Sequence, residues 1–536
     1  MFAFALLVLL VSYEVFFIGV LGFLQSVILS VIVLTTISAC IIWQRNTLVS
    51  FAESIFHTTR SLSRFQKFLI ALVTLQFVIN AIGAFVPELG FDALWYHLTL
   101  PKLYLIWGSV RHIPGGLLYY SDMPKLGEML YTLILPIKSV APPEIIQLFF
   151  GLFTTMSLYF VSRKYFSKTT SFLVAVIFYA NLVVAWESTT AYIDLIRTFY
   201  EFLALWAFLL WDETDKKRWF FLAAICVGAA ITTKVLALSS LAIFLLLTIF
   251  IGEKKHLKFS KMIIQVITFT GVALCIPLPW FIFSFIHTGN PFYPIFSPLY
   301  KTPNSMPLVD PLRFISDSWH VLTHADDPIN SIYLIFLPLI LILYKKFTFQ
   351  LKIITLYSLL GFISWYAVPQ TGGGRFLLAY LPAFSLTAGS VFQYIEKNKI
   401  LTIILTASIV FISIISIGYR GIATARYLPV ILGQETKSHF LTTHLNFSFG
   451  DFYDTDNYFA THIKPRDRVL LFGFHNLYYV DFLFIDSSWV QNGDRFDYIA
   501  TQHMSVPGRF SHWQLIYVNP VTGVKLYTDQ RKIWRY

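Results

Sequence analysis

Long apolar runs separated by short polar connections constrain this chain more than any other feature. Stretches such as 236–251 (LALSSLAIFLLLTIFI) and 400–418 (ILTIILTASIVFISIISIG) approach the ~20 residues an α-helix needs to cross a hydrocarbon core. With 56% hydrophobic and 13% charged residues over 536 positions, an ordinary soluble domain is excluded. Thirteen spans are expected, at about 1–21, 24–43, 68–87, 144–162, 170–187, 195–211, 219–233, 236–252, 262–286, 331–344, 353–368, 376–394 and 400–418. They predict an all-α polytopic membrane domain.

The formal net charge of +11 reports topology, not a nucleic-acid partner. Nineteen Lys and Arg fall in six short loops (44–67, 163–168, 212–218, 252–261, 345–352 and 396–399), against six acids, Glu53, Asp212, Glu213, Asp215, Glu253 and Glu396. Basic loops gathered on one side mark the cytoplasmic face. Thirteen spans satisfy the parity this requires, with the N-terminus cytoplasmic and the C-terminus external, in an inner or plasma membrane. The segment 124–141 must then be excluded as a span; its bracketing prolines suit a helix lying on the membrane surface or dipping into it. The first 21 residues lack the basic start and small-residue site of a signal peptide and are kept as a span. Cys40, Cys226 and Cys275 all lie in apolar runs and have neither disulfide nor zinc-ligand placement.

Three units are expected: 1–67, a pair of spans and a cytoplasmic loop; 68–419, the membrane core with outer loops 88–143 and 287–330; and 420–536, a small extracytoplasmic α/β domain. In the last unit 466–473, 496–500, 513–518 and the stretch VKLYTD read as strands.

A charge at the membrane is expensive, so the few near the outer face are candidates for function. Asp92 stands in FDALWYHLTLPKLY among Trp95, Tyr96, His97 and Tyr104, a partly dry aromatic setting suited to a general base; the alternative is an N-cap for a helix starting at Ala93. Asp194 lies in a short outer turn with Arg197 three residues on as an alternative local partner. Lys234 in ITTKVLAL needs an anion, for which a lipid-linked phosphate would serve, or else snorkels to water. Arg375 follows three glycines, and its planar fork matches phosphate oxygens. His320 and His324 have the i, i+4 spacing of a metal pair, but no Glu accompanies them. No cofactor is evident, and a divalent metal has no ligand cluster to support it.

The order of these features resembles the GT-C superfamily of membrane glycosyltransferases, in particular the bacterial protein O-mannosyltransferase and lipid A aminoarabinose transferase group. The resemblance covers about 68–400. It is carried by Asp92 with YHLTLPKLY and Gly108 behind it, Arg163 and Lys164, AYID ending at Asp194, TTK ending at Lys234, GNPFYP at 289–294 and GGGRFLLAYLP at 372–382. It implies transfer of a sugar from a polyprenyl-phosphate donor to an acceptor that is protein, lipid or glycan, by a direct inverting displacement. Asp92 would be the base, with Asp194 as a second catalytic acid. Lys234 and Arg375 would hold the donor phosphate, and Tyr96, His97, Lys102 and Tyr293 would contact substrate. Two departures stand out: Ala93 takes the place of a second acid found after the first in many members, and two spans precede the usual first one. The competing readings are a polytopic transporter and a non-enzymatic envelope-glycan assembly protein.

Overall fold

A computed structural model describes residues 1–25, 27–45, 62–138, 141–299, 311–323, 329–367, 373–395, 397–529 and 534–536. Glu53, Glu396, His324, Gly372 and parts of the 44–67 and 287–330 loops lie outside the described residues. Helix occupies all thirteen expected segments, but the elements differ in length. Among the described residues six are long and apolar enough to cross a membrane: Phe2–Val20, Arg64–Ala84, Ile145–Ser162, Val235–Lys254, Gly373–Ile395 and Lys399–Ala425. This is a multi-pass membrane protein, although the helices do not by themselves establish thirteen spans.

Several expected spans are broken, for local reasons. The segment 262–286 divides into Phe259–Cys275 and Leu278–Thr288, bent by 63°. Pro277 and Pro279 sit at the bend and remove backbone donors where the first helix would have continued. The segment 170–187 breaks after Tyr179, and Asn181 restarts it by accepting from the Val183 N–H at 3.3 Å. The Asp194–Thr214 helix is long enough to span but carries Asp194, Arg197 and Glu201 in its first two turns. It tolerates them because 17 of its 21 residues are buried, so protein rather than lipid surrounds it. By contrast, only six of the 27 residues of Lys399–Ala425 are buried.

The segment at 124–141 forms the nine-residue helix Leu126–Ile134, ~14 Å long and too short to span. Six of those residues are buried, and Ser12 of the first helix donates to the Leu126 carbonyl, so protein packs around this helix.

Four basic loops meet at one end of the bundle. Lys164 pairs with Glu213 at 2.6 Å, Lys255 with Asp215 at 2.8 Å, and Gln350 donates to Asp212 at 3.3 Å. Asp194 lies at the opposite end of the helix that carries Asp212.

The tail contains a five-stranded sheet of β1 (Arg468–Phe472), β2 (Leu483–Asp486), β4 (Tyr498–Thr501), β5 (Gln514–Val518) and β6 (Lys525–Thr528), with β3 (Arg495–Phe496) and β7 (Trp534–Arg535) as a separate ribbon. The order is β2-β1-β4-β6-β5; β1 runs parallel to β2 and β4, and the other two pairings are antiparallel. β1, β4, β5 and β6 match the sequence expectation, whereas β2 and β7 are additional. The chain leaves β1 at Gly473, whose φ of +80° and 2.1 Å Cβ clearance from the Gln502 carbonyl exclude a side chain.

The tail domain is fastened to the first outer loop. Lys102 Nζ donates to the carbonyls of Tyr478 and Val480 at 2.7 and 2.5 Å, and Tyr479 Oη donates to the Glu88 carbonyl at 2.9 Å.

Candidate active site

Asp92 precedes a π-helical turn, Ala93–His97, a geometry frequent at functional positions. Its side chain does not cap that turn, so the N-cap alternative is not realised. Instead Asp92 Oδ2 accepts from Arg375 Nη1 at 2.8 Å, joining positions 283 residues apart. The Asp92 N–H donates to Tyr192 Oη at 3.2 Å, and the Arg375 guanidinium lies 4.9 Å from the centre of the same Tyr192 ring.

A second pair completes the cluster. Lys234 Nζ donates to Asp194 Oδ1 at 2.7 Å, replacing both the snorkelling alternative for Lys234 and the local pairing of Asp194 with Arg197. The Phe376 ring is shared, 4.7 Å from Lys234 Nζ and 5.5 Å from the Arg375 guanidinium. Both Asp92 and Asp194 are within electrostatic reach of Arg375. Two carboxylates and two cations are thus assembled from four separate parts of the chain into a formally neutral group. Arg375 Nε and Asp194 Oδ2 are buried and have no hydrogen-bond partner among the described residues. A buried polar atom left this way is costly, and a ligand atom would relieve it.

Arg197 instead turns to Glu201, one turn on, at 2.6 Å, with both side chains no more than 1% exposed. Glu201 Oε2 also accepts from Ser240 Oγ at 2.6 Å and Tyr357 Oη at 3.1 Å, while Tyr380 Oη lies 3.0 Å from Ser240 Oγ. This network supports the helix that presents Asp194. Sequence reasoning passed over Glu201; its signal was a carboxylate four residues beyond Arg197 inside an apolar segment.

Glu88 was also passed over. Its carboxylate accepts from the N–H groups of Leu89 (2.9 Å), Gly90 (2.6 Å) and Ala191 (2.5 Å), tying the approach to Asp92 to the turn carrying Tyr192. Burial pushes its carboxyl up, against the pull of those N–H groups, and burial with the nearby Glu88 charge raises Glu144 further. Gln147 fixes the same turn, donating to the Tyr192 carbonyl at 2.5 Å and accepting from the Leu195 N–H at 3.1 Å.

The four expected substrate-contacting residues are placed differently from one another. Tyr96 lies against Tyr120 and His97, with ring centres 4.7 and 4.1 Å away. His97 is 1% exposed, its Nδ1 2.8 Å from Glu128 Oε1, which makes it a buried neighbour of the Asp92 segment. Lys102 is engaged by the tail domain, and burial lowers its ammonium to about 8. Tyr293 is half-buried and within electrostatic reach of Asp122. Among the described residues no group of three His, Cys, Asp or Glu side chains could hold a metal ion, and the His320–His324 pair lies partly outside them.

The architecture is GT-C-like. A model of the family "Dolichyl-phosphate-mannose-protein mannosyltransferase" matches residues 126–282. The chain is similar in structure to ArnT from Cupriavidus metallidurans in the apo state, with a TM-score of 0.57 at 10% identity over 87% of this chain and 98% of that one. It is also similar to the same protein bound to undecaprenyl phosphate, with a TM-score of 0.51 at 13% identity, covering 86% and 98%. Compared with curated proteins, the chain has no matching sequence. Family match and fold together bear out the resemblance read from the sequence.

Proposed function

We propose that this protein transfers a sugar from a polyprenyl-phosphate donor to an acceptor hydroxyl at the outer face of the cell membrane. The observation that carries the reading is the pairing of Asp92 with Arg375 and Asp194 with Lys234 around Phe376. The fold likeness to a protein whose structure holds undecaprenyl phosphate supports it. The four basic loops gathered at the opposite end support a cytoplasmic assignment for that end, and hence an outer-face site.

In this reading the paired state is the resting state. An arriving phosphate offers Arg375 and Lys234 a stronger, multiply bonded anion than a single carboxylate. Arg375 turns to the phosphate, and Asp92 is released to accept the acceptor's proton. The acceptor oxygen then bonds to the sugar C1 as the C1–O bond to phosphate breaks. The bonding pair leaves on the phosphate oxygen, the proton rests on Asp92, and polyprenyl phosphate departs. Attack opposite the leaving group inverts the anomeric centre. Lys234 and Arg375 stabilise charge growing on the leaving oxygen in a site poor in water, where such stabilisation is worth most. Asp194 holds Lys234 in position and shares its charge.

The test is donor turnover by purified protein offered a panel of radiolabelled polyprenyl-phosphate sugars. Turnover of one donor, absent from Asp92→Asn and giving the opposite anomer, is expected. Undiminished turnover in that variant would remove Asp92 from the role of base.

A further inference from the structure

A cleft of about 480 Å³ opens between the tail domain and the first outer loop. That volume falls within the ~300–1,000 Å³ usual for small-ligand sites. One wall is made by residues immediately after two adjacent parallel strands: Gly473 to His475 after β1, and Ser487 and Ser488 after Asp486 at the end of β2. The carboxyl ends of parallel strands are where open α/β sheets receive ligands. The facing wall comes from the outer loop and includes Trp95, Gly116 and Tyr119.

The cleft adjoins the segment that holds Asp92. The His475 ring stacks on Phe91 at 5.1 Å and lies 4.8 Å from Trp95, so it touches rings on both sides of Asp92 in the chain. A molecule seated there is presented to the charged cluster from the water side.

The lining selects a chemical class. Two aromatic side chains, Trp95 and Tyr119, offer apolar area with polar edges, while Asp486 and Ser487 offer a carboxylate and a hydroxyl. Neither Lys nor Arg lines it among the described residues, which argues against an anionic group. An extended peptide would add to a strand edge, whereas this opening lies at strand ends. A neutral ring with an apolar face and several hydroxyls fits both kinds of wall.

We infer that this cleft binds a sugar residue of a saccharide acceptor, so that the tail domain presents glycan to the membrane site. The word acceptor rests on the transferase reading; saccharide binding does not.

Binding is therefore measured first without donor, on the full-length protein in detergent. Fluorescently labelled neutral, amino-sugar and uronate-containing oligosaccharides are titrated by polarisation, with polyprenyl phosphate binding measured in parallel. Saturable binding of one saccharide class is expected. Asp486→Asn, nearly unchanged in size, should weaken it by about tenfold through loss of a charge-assisted hydrogen bond. Gly116→Phe should abolish it by filling the cleft; a Cβ at Gly116 meets only Leu299 Cδ2, at 3.9 Å, so the backbone tolerates the change. Polyprenyl phosphate binding should be unchanged in both. No saccharide binding by wild-type protein that still binds polyprenyl phosphate, or equal binding by wild type and both variants, would overturn the inference. Saccharide binding without turnover of any donor would uphold the cleft and count against the transferase reading instead.

Discussion

The charged cluster in the membrane part and the cleft under the tail domain both combine carboxylates with aromatic rings, yet they are organised oppositely. In the cluster every carboxylate has a cation within 2.8 Å, because an isolated charge at that depth is too costly to keep. In the cleft Asp486 has no cationic partner among the described residues and leans on a backbone N–H, that of Ser488 at 2.8 Å. In the proposed reading, chemistry at the first site is therefore gated by exchange of partners, whereas recognition at the second depends on shape and hydrogen bonds.

The largest effect should come from Asp92→Asn, which leaves Arg375 a neutral partner and no base. Turnover should fall by about 10²–10⁴-fold with membrane insertion intact, measured as released polyprenyl phosphate. Arg375→Lys keeps the charge but loses the planar fork, and should raise the donor KM by roughly tenfold while acceptor KM changes little. A comparable rise in acceptor KM would break the separation between the two sites. Glu201→Ala tests the pairing rule away from the reacting atoms. It strands Arg197 in a buried site and should cost about 3–5 kcal/mol, read as a lower unfolding temperature in detergent.

The tail offers a smaller, pH-dependent contrast. Burial pushes the Asp486 carboxyl up to about 6, above its unfolded value, so the folded domain holds this proton more tightly than the unfolded chain. Stability should fall as pH rises from about 4 through 6, by up to roughly 3 kcal/mol, and be flat above that. Asp486→Asn should remove that share of the pH dependence, leaving those of Glu88 and Glu144, measured by pH-resolved thermal unfolding. The smallest effect belongs to Lys102→Met, which should loosen the tail domain toward proteolysis and change donor turnover only a few-fold, since it removes a strut and no reacting group.

These differences also explain what could be read from sequence. Asp92, Asp194, Lys234 and Arg375 stood out because charges are scarce in apolar surroundings. Their pairing did not, since Asp92 meets Arg375 across 283 positions and only tertiary packing makes the pair. Glu201 was hidden by the same apolar context that should have flagged it. Asp486 and His475 were invisible for the opposite reason: in a water-facing domain such residues are ordinary, and only the strand order brings them to one cleft. The helix breaks at 180–181 and 276–277 escaped because hydropathy averages over them, although Pro277 was present to mark the second.

The long Lys399–Ala425 helix acts as a ruler. At ~1.5 Å per residue its 27 residues reach about 40 Å, against a hydrocarbon core of ~30 Å. Lys399 begins the rod and is exposed, whereas Arg420 near its other end is half-buried, with its Nε inaccessible and without a hydrogen-bond partner among the described residues. The residues beyond Arg420 lead into the tail domain. In the proposed reading, the length of this single helix helps set how far from the bilayer the tail domain presents a glycan.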